Sequence, residues 1–232
     1  MAKKAVLAPR SALGKLTYGY NLDDLKRIDA IGLEVWLDDQ LSPNAVRKAE
    51  DEIDFSAFRS AKMSIPEIYR DRVFKGRPSL LSTELVHMTL LRRLFSSRQV
   101  YEMLVEHFSD YIPVDLYTDK QLVRLDYDTN VIRANVLGYY PKMVAAATFH
   151  PAMLNYLNGD TNTATSPNEN YGRELLELFT VTPSAGYVEQ DVKQAAKLLS
   201  GITWNVATIF CASKQGLEQT RTGTQTFGRN HI

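Results

Sequence analysis

Apolar side chains return every three or four positions through most of the chain, and two-residue alternation is hard to find before residue 200. That period sets one face of a helix against a core, so the pattern predicts a mainly α protein. The first helix is expected over residues 22 to 30, with Asn21 as its cap and Leu25 and Ile28 facing inward. Gly32 then interrupts before a second helix through Trp36 and Leu37 to Leu41, and Ser42-Pro43-Asn44 opens the next helical run. Residues 44 to 75 are charge-rich, with Ile53, Phe55, Phe58, Ile65, Ile68, Tyr69, Val73 and Phe74 at irregular spacing. They read as short helices and loops.

Two well-patterned helices follow, Ser79 to Leu94 and Arg98 to Phe108, broken near Ser96-Ser97, and then a looser segment through Pro113. Residues 127 to 138, 140 to 149 and 151 to 158 read as three helices separated by Gly138 and Pro151, because proline cannot continue a helical hydrogen-bond ladder. The polar run 158 to 168 is a surface loop. It leads into SPNENYGRELLELF, residues 166 to 179, where Ser166 is placed to cap, Pro167 suits the first helical position, and Glu169 completes a capping box. Another helix covers residues 189 to 200 and ends at Gly201. After Trp204, Ala207 to Phe210 fits a short β segment, and residues 212 to 232 are polar and turn-rich. The expected architecture is an irregular multi-helix bundle forming a single helical domain over residues 1 to 232. Residues 1 to 20 are its N-terminal arm, and residues 202 to 232 are an irregular, truncated end.

Composition narrows the classes. The 232 residues are 44% apolar, enough for a buried core. Lys plus Arg and Asp plus Glu each number 27, so no global field draws the protein to nucleic acid or acidic lipid, and no nucleic-acid partner is expected. The single cysteine, Cys211, excludes an intramolecular disulfide and a cysteine-rich zinc site. No stretch approaches the roughly 20 apolar residues of a membrane span. The run Ala5 to Ala8 is shorter than the about 7 to 15 apolar residues of an export signal, so the sequence as written reads as cytoplasmic.

Candidate chemistry concentrates after Ser166. Asn170, Glu174 and Glu177 fall at spacings of four and three and share one helical face, while Tyr171, Leu175 and Leu178 share another. One reading makes the polar face a site, with Glu174 or Glu177 as acid, base or metal ligand and Arg173 as an anion clamp. The other pairs Arg173 with Glu169 and Glu177 on a solvated surface. Such pairs stabilise an isolated helix by only about 0.2 to 0.5 kcal/mol each. A cluster this dense is therefore expected to be buried, with Arg92, His107 or Arg133 as charge partners. Glu84 and His87, three apart, place a carboxylate and an imidazole on one helical face; a di-metal bundle needs two such pairs and two more glutamates, and Met88, Leu91 and Leu94 nearby suit a half-buried core helix. His107, beside Phe108, and His150, before Pro151, fit capping or packing as well as ligation. Neither a glycine-rich phosphate loop nor a nucleophile elbow is present, and the residues define no cofactor and no reaction.

The run PNENYGRELLELF, followed by GYVEQDVKQAAKLLSGITW, resembles the bacterial domain of unknown function 1800 (DUF1800) family. HPAMLNYLN at residues 150 to 158, GLEVWLDDQLSP at 32 to 43 and Ser97-Arg98-Gln99 extend the resemblance over nearly the whole chain. It implies a helical bacterial protein, often encoded beside an alkaline-phosphatase-like partner, and no known reaction. The chain departs from the pattern at Met103, Leu104, Val105 and Glu106, where the family carries an aromatic pair and an extra polar residue. Family chains also run longer, past a His-Asp-x-Gly-x-Lys segment where this one stops at His231-Ile232, so a fragment is expected. Many begin with an export signal, which implies the periplasm or cell exterior if the true N-terminus lies upstream. The preferred functional expectation is a scaffold or assembly partner of the alkaline-phosphatase-like neighbour. The alternative is an enzyme or ligand binder with a polar pocket around Asn170, Arg173, Glu174 and Glu177.

Overall fold

Each early helix boundary follows from one local device. A computed structural model describes residues 8–115, 121–202 and 204. Helix α1 (Pro9–Leu16) opens with proline at its first position, where the missing amide costs no intrahelical bond, and buries Ala12 and Leu13 completely. Helix α2 (Leu22–Ile31) is capped by Asn21, whose side chain accepts from the Asp24 amide at 2.7 Å. It stops at Gly32, where φ is +86°, a conformation that favours glycine. Helix α3 (Leu33–Leu41) then turns Trp36 into a small core with Leu13, Ile28 and Val100. Buried Gln40 fastens this unit to the next one, donating to the Ser97 carbonyl at 2.9 Å and accepting from the Val100 amide at 3.3 Å.

The charge-rich stretch forms α4 (Pro43–Asp51), a 3₁₀ turn (Arg59–Lys62), α5 (Ile65–Arg70) and α6 (Arg72–Gly76). The Glu67 carboxylate reaches back to the Ser64 amide at 2.7 Å and hydroxyl at 2.6 Å, half of a capping box at the start of α5. Helices α7 (Ser79–Phe95) and α8 (Gln99–Tyr111) are the longest elements and stand close to their expected bounds. Helix α9 (Gln121–Asp126) runs directly into a π-helical turn (Tyr127–Arg133), so the segment expected as one α-helix from 127 is wound differently. Helices α10 (Tyr140–Thr148) and α11 (Pro151–Tyr156) follow, each with a proline in its first turn. Then come α12 (Glu169–Glu177) and α13 (Glu189–Leu198). About 70% of the described residues are helical and none is in a strand. Ala207 to Phe210, Cys211 and His231 lie outside the described residues.

The main core joins α8, the π turn, α10, α11 and α12 through Tyr127, Ile132, Met143, Leu154 and Tyr171, all essentially inaccessible to solvent. Tyr171 donates its hydroxyl to the Thr148 carbonyl, and Tyr127 donates to the Ile112 carbonyl at 2.8 Å. These two phenols thereby keep a partner inside an apolar layer, as buried tyrosines require.

Helix α12 starts at Glu169, two residues later than expected, and its cap is Asn168 rather than Ser166. The reason is the two-ended amide of asparagine. Asn168 Oδ1 accepts from the Tyr171 amide at 3.1 Å, while its Nδ2 donates to the carbonyls of Leu157 at 2.8 Å and Asn158 at 2.9 Å. A serine hydroxyl has one proton and cannot fill that set of positions. Ser166 instead closes a turn, its amide donating to the Thr163 carbonyl at 3.2 Å and hydroxyl at 3.1 Å. Buried Asn162 completes the corner: its Oδ1 accepts from the Asn168 amide at 2.8 Å, and its Nδ2 donates to the Ala196 carbonyl of α13 at 2.9 Å.

Helices α12 and α13 touch at Gly172, where a Cβ would stand 2.7 Å from the Val192 carbonyl oxygen and 2.8 Å from the Ala196 amide nitrogen. Both are backbone atoms, so the helices would have to separate. Gly172→Ala is expected to destabilise by about 1 to 3 kcal/mol in urea unfolding, the usual cost of overpacking; an unchanged midpoint means that the two helices are not in this contact. By the same measurement Asn168→Ala should cost about 0.5 to 2 kcal/mol, and Ser166→Ala less than about 0.5. The reverse order would return the cap to Ser166.

Candidate functional site

The polar face singled out in the sequence lies on α12. Asn170 is exposed, and Arg173, Glu174 and Glu177 are half-buried, which corrects the expectation that all four sit inside the bundle. Tyr171 and Gly172 occupy the inward face, and their close packing turns the charged positions outward. The expected partners Arg92, His107 and Arg133 are not the ones used. Arg173 Nη2 instead meets Glu189 Oε1 of α13 at 2.6 Å, and the Tyr187 hydroxyl donates to the Glu177 carboxylate at 3.3 Å. The bond to Arg173 holds the Glu189 carboxyl below the usual carboxylate range, and the same bond raises Arg173. Solvent screens a pair this exposed, so it orients α13 more than it stabilises it.

The metal candidates are also engaged in structure. Glu84 accepts from the Ser60 amide at 2.8 Å and the Arg59 amide at 3.3 Å, tying α7 to the 3₁₀ turn. His87 is exposed, with its ring 6.1 Å from that of Phe58. No three His, Cys, Asp or Glu side chains converge as a metal site among the described residues. His107 is exposed and stacks on Tyr111, with ring centroids 6.1 Å apart. His150 caps α11: Nδ1 accepts from the Ala152 amide at 3.1 Å, which leaves Nε2 to donate to Asp126 at 2.8 Å.

The densest buried charge is elsewhere. The Arg133 guanidinium lies inside the bundle and binds Glu102 of α8 through two parallel bonds, Nη1 to Oε1 at 3.1 Å and Nη2 to Oε2 at 2.8 Å. Its Nε donates to Asp128 at 3.1 Å. The side chains of Arg133, Glu102 and Asp128 are 10%, 4% and 9% exposed. Burial disfavours the cation, but the carboxylates of Asp128 and Glu102 outweigh it and raise Arg133 above its ordinary value. The spacing of five between Asp128 and Arg133 depends on the π turn. Bonds from residue i to i+5 bring side chains five apart onto one face, whereas an α-helix brings together those three or four apart.

This network floors a cavity of about 270 Å³ between α7, α8 and the α9–π segment. Arg93 and Glu106 pair across another wall at 3.0 Å. Sequence reasoning passed over Glu102, Arg124 and Asp128 and named Arg133 only as a partner for α12. Glu102 and Arg133 are 31 positions apart, and a spacing of five matches no α-helical face, so no local pattern marks them. The removal of Arg133 is the direct probe of the network. Arg133→Met is expected to cost about 3 to 5 kcal/mol, because it strands two buried carboxylates, and replacing all three partners by apolar residues should recover much of that loss. A loss below about 1 kcal/mol in urea unfolding of the single variant would put these charges in contact with solvent.

A family model described as protein of unknown function (DUF1800) matches residues 11–231 of the chain. No curated protein and no solved structure gives a significant match. The match covers the thirteen α-helices of the described residues apart from the first two residues of α1. The mainly helical protein described above therefore belongs to the DUF1800 family of proteins of unknown function.

Proposed function

We propose that this protein is a helical scaffold that assembles with a second protein, and that the alkaline-phosphatase-like neighbour implied by the family resemblance is that partner. The observation that carries the reading is an uncovered apolar ridge at the end of α7. Leu90 and Leu94 are one helical turn apart, Phe95 adjoins them, and they are 46%, 66% and 68% exposed. Large apolar side chains grouped in this way mark contact surfaces more often than isolated ones do. The α12 motif supports the same reading, since Asn168, Tyr171 and Gly172 are spent on joining α12 to the end of α11, to α10 and to α13. The alternative, a reaction centre or ligand pocket around Asn170, Arg173, Glu174 and Glu177, has less support from an outward face whose Arg173 and Glu177 already bind α13 and Tyr187.

Co-expression of the chain with the alkaline-phosphatase-like protein should give a complex that co-elutes on size exclusion. Leu94→Glu combined with Phe95→Glu should weaken it at least tenfold, about 1.4 kcal/mol, while Asn170→Ala leaves it unchanged. Separate elution of the two proteins, or a complex indifferent to the double change, would overturn the reading.

A further inference from the structure

We propose that two copies of this chain pair through α7, laid antiparallel along its outer face, and that this self-pair covers the ridge offered to the neighbour. The inference rests on the reading of that ridge as a contact surface, and not on the identity of the neighbour. Of the 17 residues of α7, only Ser79, Thr83, His87, Leu90, Leu94 and Phe95 are exposed. None of them is Lys, Arg, Asp or Glu, whereas the solvent face of an amphipathic helix ordinarily carries charge. Thr83, His87, Leu90 and Leu94 follow one another at steps of four, three and four. That is the spacing by which one helix presents a continuous seam to another.

The side chains along the seam choose the occupant. It is small at one end, Thr83, and large at the other, Leu94. A second α7 running the opposite way would set Thr83 against Leu94 of the second copy and His87 against its Leu90, and the two-fold axis repeats both layers. Large side chains then meet small ones, which is how facing helices fill the space between them. A parallel pair would set Thr83 against Thr83 and leave a gap. Charge favours the same arrangement. The seam is flanked by Glu84, Val86, Leu91 and Arg93. Antiparallel pairing brings Glu84 opposite Leu91 of the second copy and Arg93 opposite its Val86, so no like charges meet. Glu84 and Arg93 keep their own partners, the Ser60 amide and Glu106. Each helix also lays its negative end beside the positive end of the other. Leu94 and Phe95 serve this contact or the neighbour's, not both, so the self-pair withholds the protein from assembly until the neighbour displaces it.

Sedimentation velocity of the 232-residue chain tests the pair, and cross-linking tests its direction. The chain should show a reversible dimer whose share rises with concentration, weakened at least tenfold by Thr83→Lys and unchanged by Arg173→Gln on α12. In a Cys211→Ser background, Thr83→Cys and Leu94→Cys chains should be joined by a short bismaleimide when mixed, and neither should join to itself. The joined pair should bind the alkaline-phosphatase-like protein at least tenfold more weakly than the same chains left unjoined. The self-pair is overturned by a single-chain mass at every concentration, by indifference to Thr83→Lys, by loss with Arg173→Gln, by mixed chains that do not join, or by Leu94→Cys chains that join one another as readily. A neighbour that binds joined and unjoined chains alike overturns the withholding. A neighbour that binds neither form overturns the assembly reading instead, and the mass and the cross-link still decide the self-pair.

Discussion

A guanidinium held out of water must be matched by carboxylates, and the body of this protein is arranged around that requirement at Arg133. The isolated ion would cost several kcal/mol to desolvate. Two parallel bonds to Glu102 bring in α8, and the bond to Asp128 fixes the turn on which Arg133 itself stands. The Tyr101 hydroxyl of α8 donates to the Arg133 carbonyl at 3.0 Å, so the same two elements are joined through main chain as well. Tyr18, which follows α1, donates to the Glu102 carbonyl at 3.1 Å and extends the network to the N-terminal helices. The π winding of residues 127–133 is thus coupled to a charge pattern as well as to apolar packing.

The second organising corner is polar but uncharged. Asn162 and Asn168 between them join the loop after α11, the start of α12 and the body of α13, with every bond between 2.8 and 3.1 Å. Gly172 then lets the two helices approach closely enough for backbone to touch backbone. Buried amides that are fully satisfied favour one arrangement over its neighbours, because any shift leaves a donor or acceptor unpaired in low dielectric. This accounts for the density of Asn, Tyr and Gly in the motif without assigning it chemistry.

What the sequence revealed and what it hid separate along the range of the interactions. The helices from 22 to 41, 79 to 108 and 189 to 200 were legible because their boundaries rest on local devices, such as the Asn21 cap, the positive φ at Gly32 and the stop near Gly201. The cap of α12 was misread because Ser166 and Asn168 both suit the position by type. The choice is made by the carbonyls of Leu157 and Asn158, which are distant in sequence. The candidate site was hidden more deeply. Glu102 has no partner at helical spacing to mark it, and its burial depends on an arginine that comes into register only through a π turn. The dense polar run drew attention to α12, where the side chains that matter for packing are the uncharged ones between the charges.

The π turn also links two of the three arginines that line the cavity, Arg124 and Arg133. In a regular helix Asp128 would lie one turn from Arg124 and pair with it, a local arrangement consistent with the sequence. Winding the chain as a π turn moves Asp128 onto the face of Arg133 and leaves Nε and Nη1 of Arg124 buried with no acceptor among the described residues. Folded proteins seldom leave such groups unpaired, and π turns within helices occur often at functional sites. The fold thus stabilises one arginine by depriving the other, and it does so at the wall of a cavity. A local pairing given up at one residue, with the compensation visible one turn away, is how a tertiary charge pattern overrides a helical one.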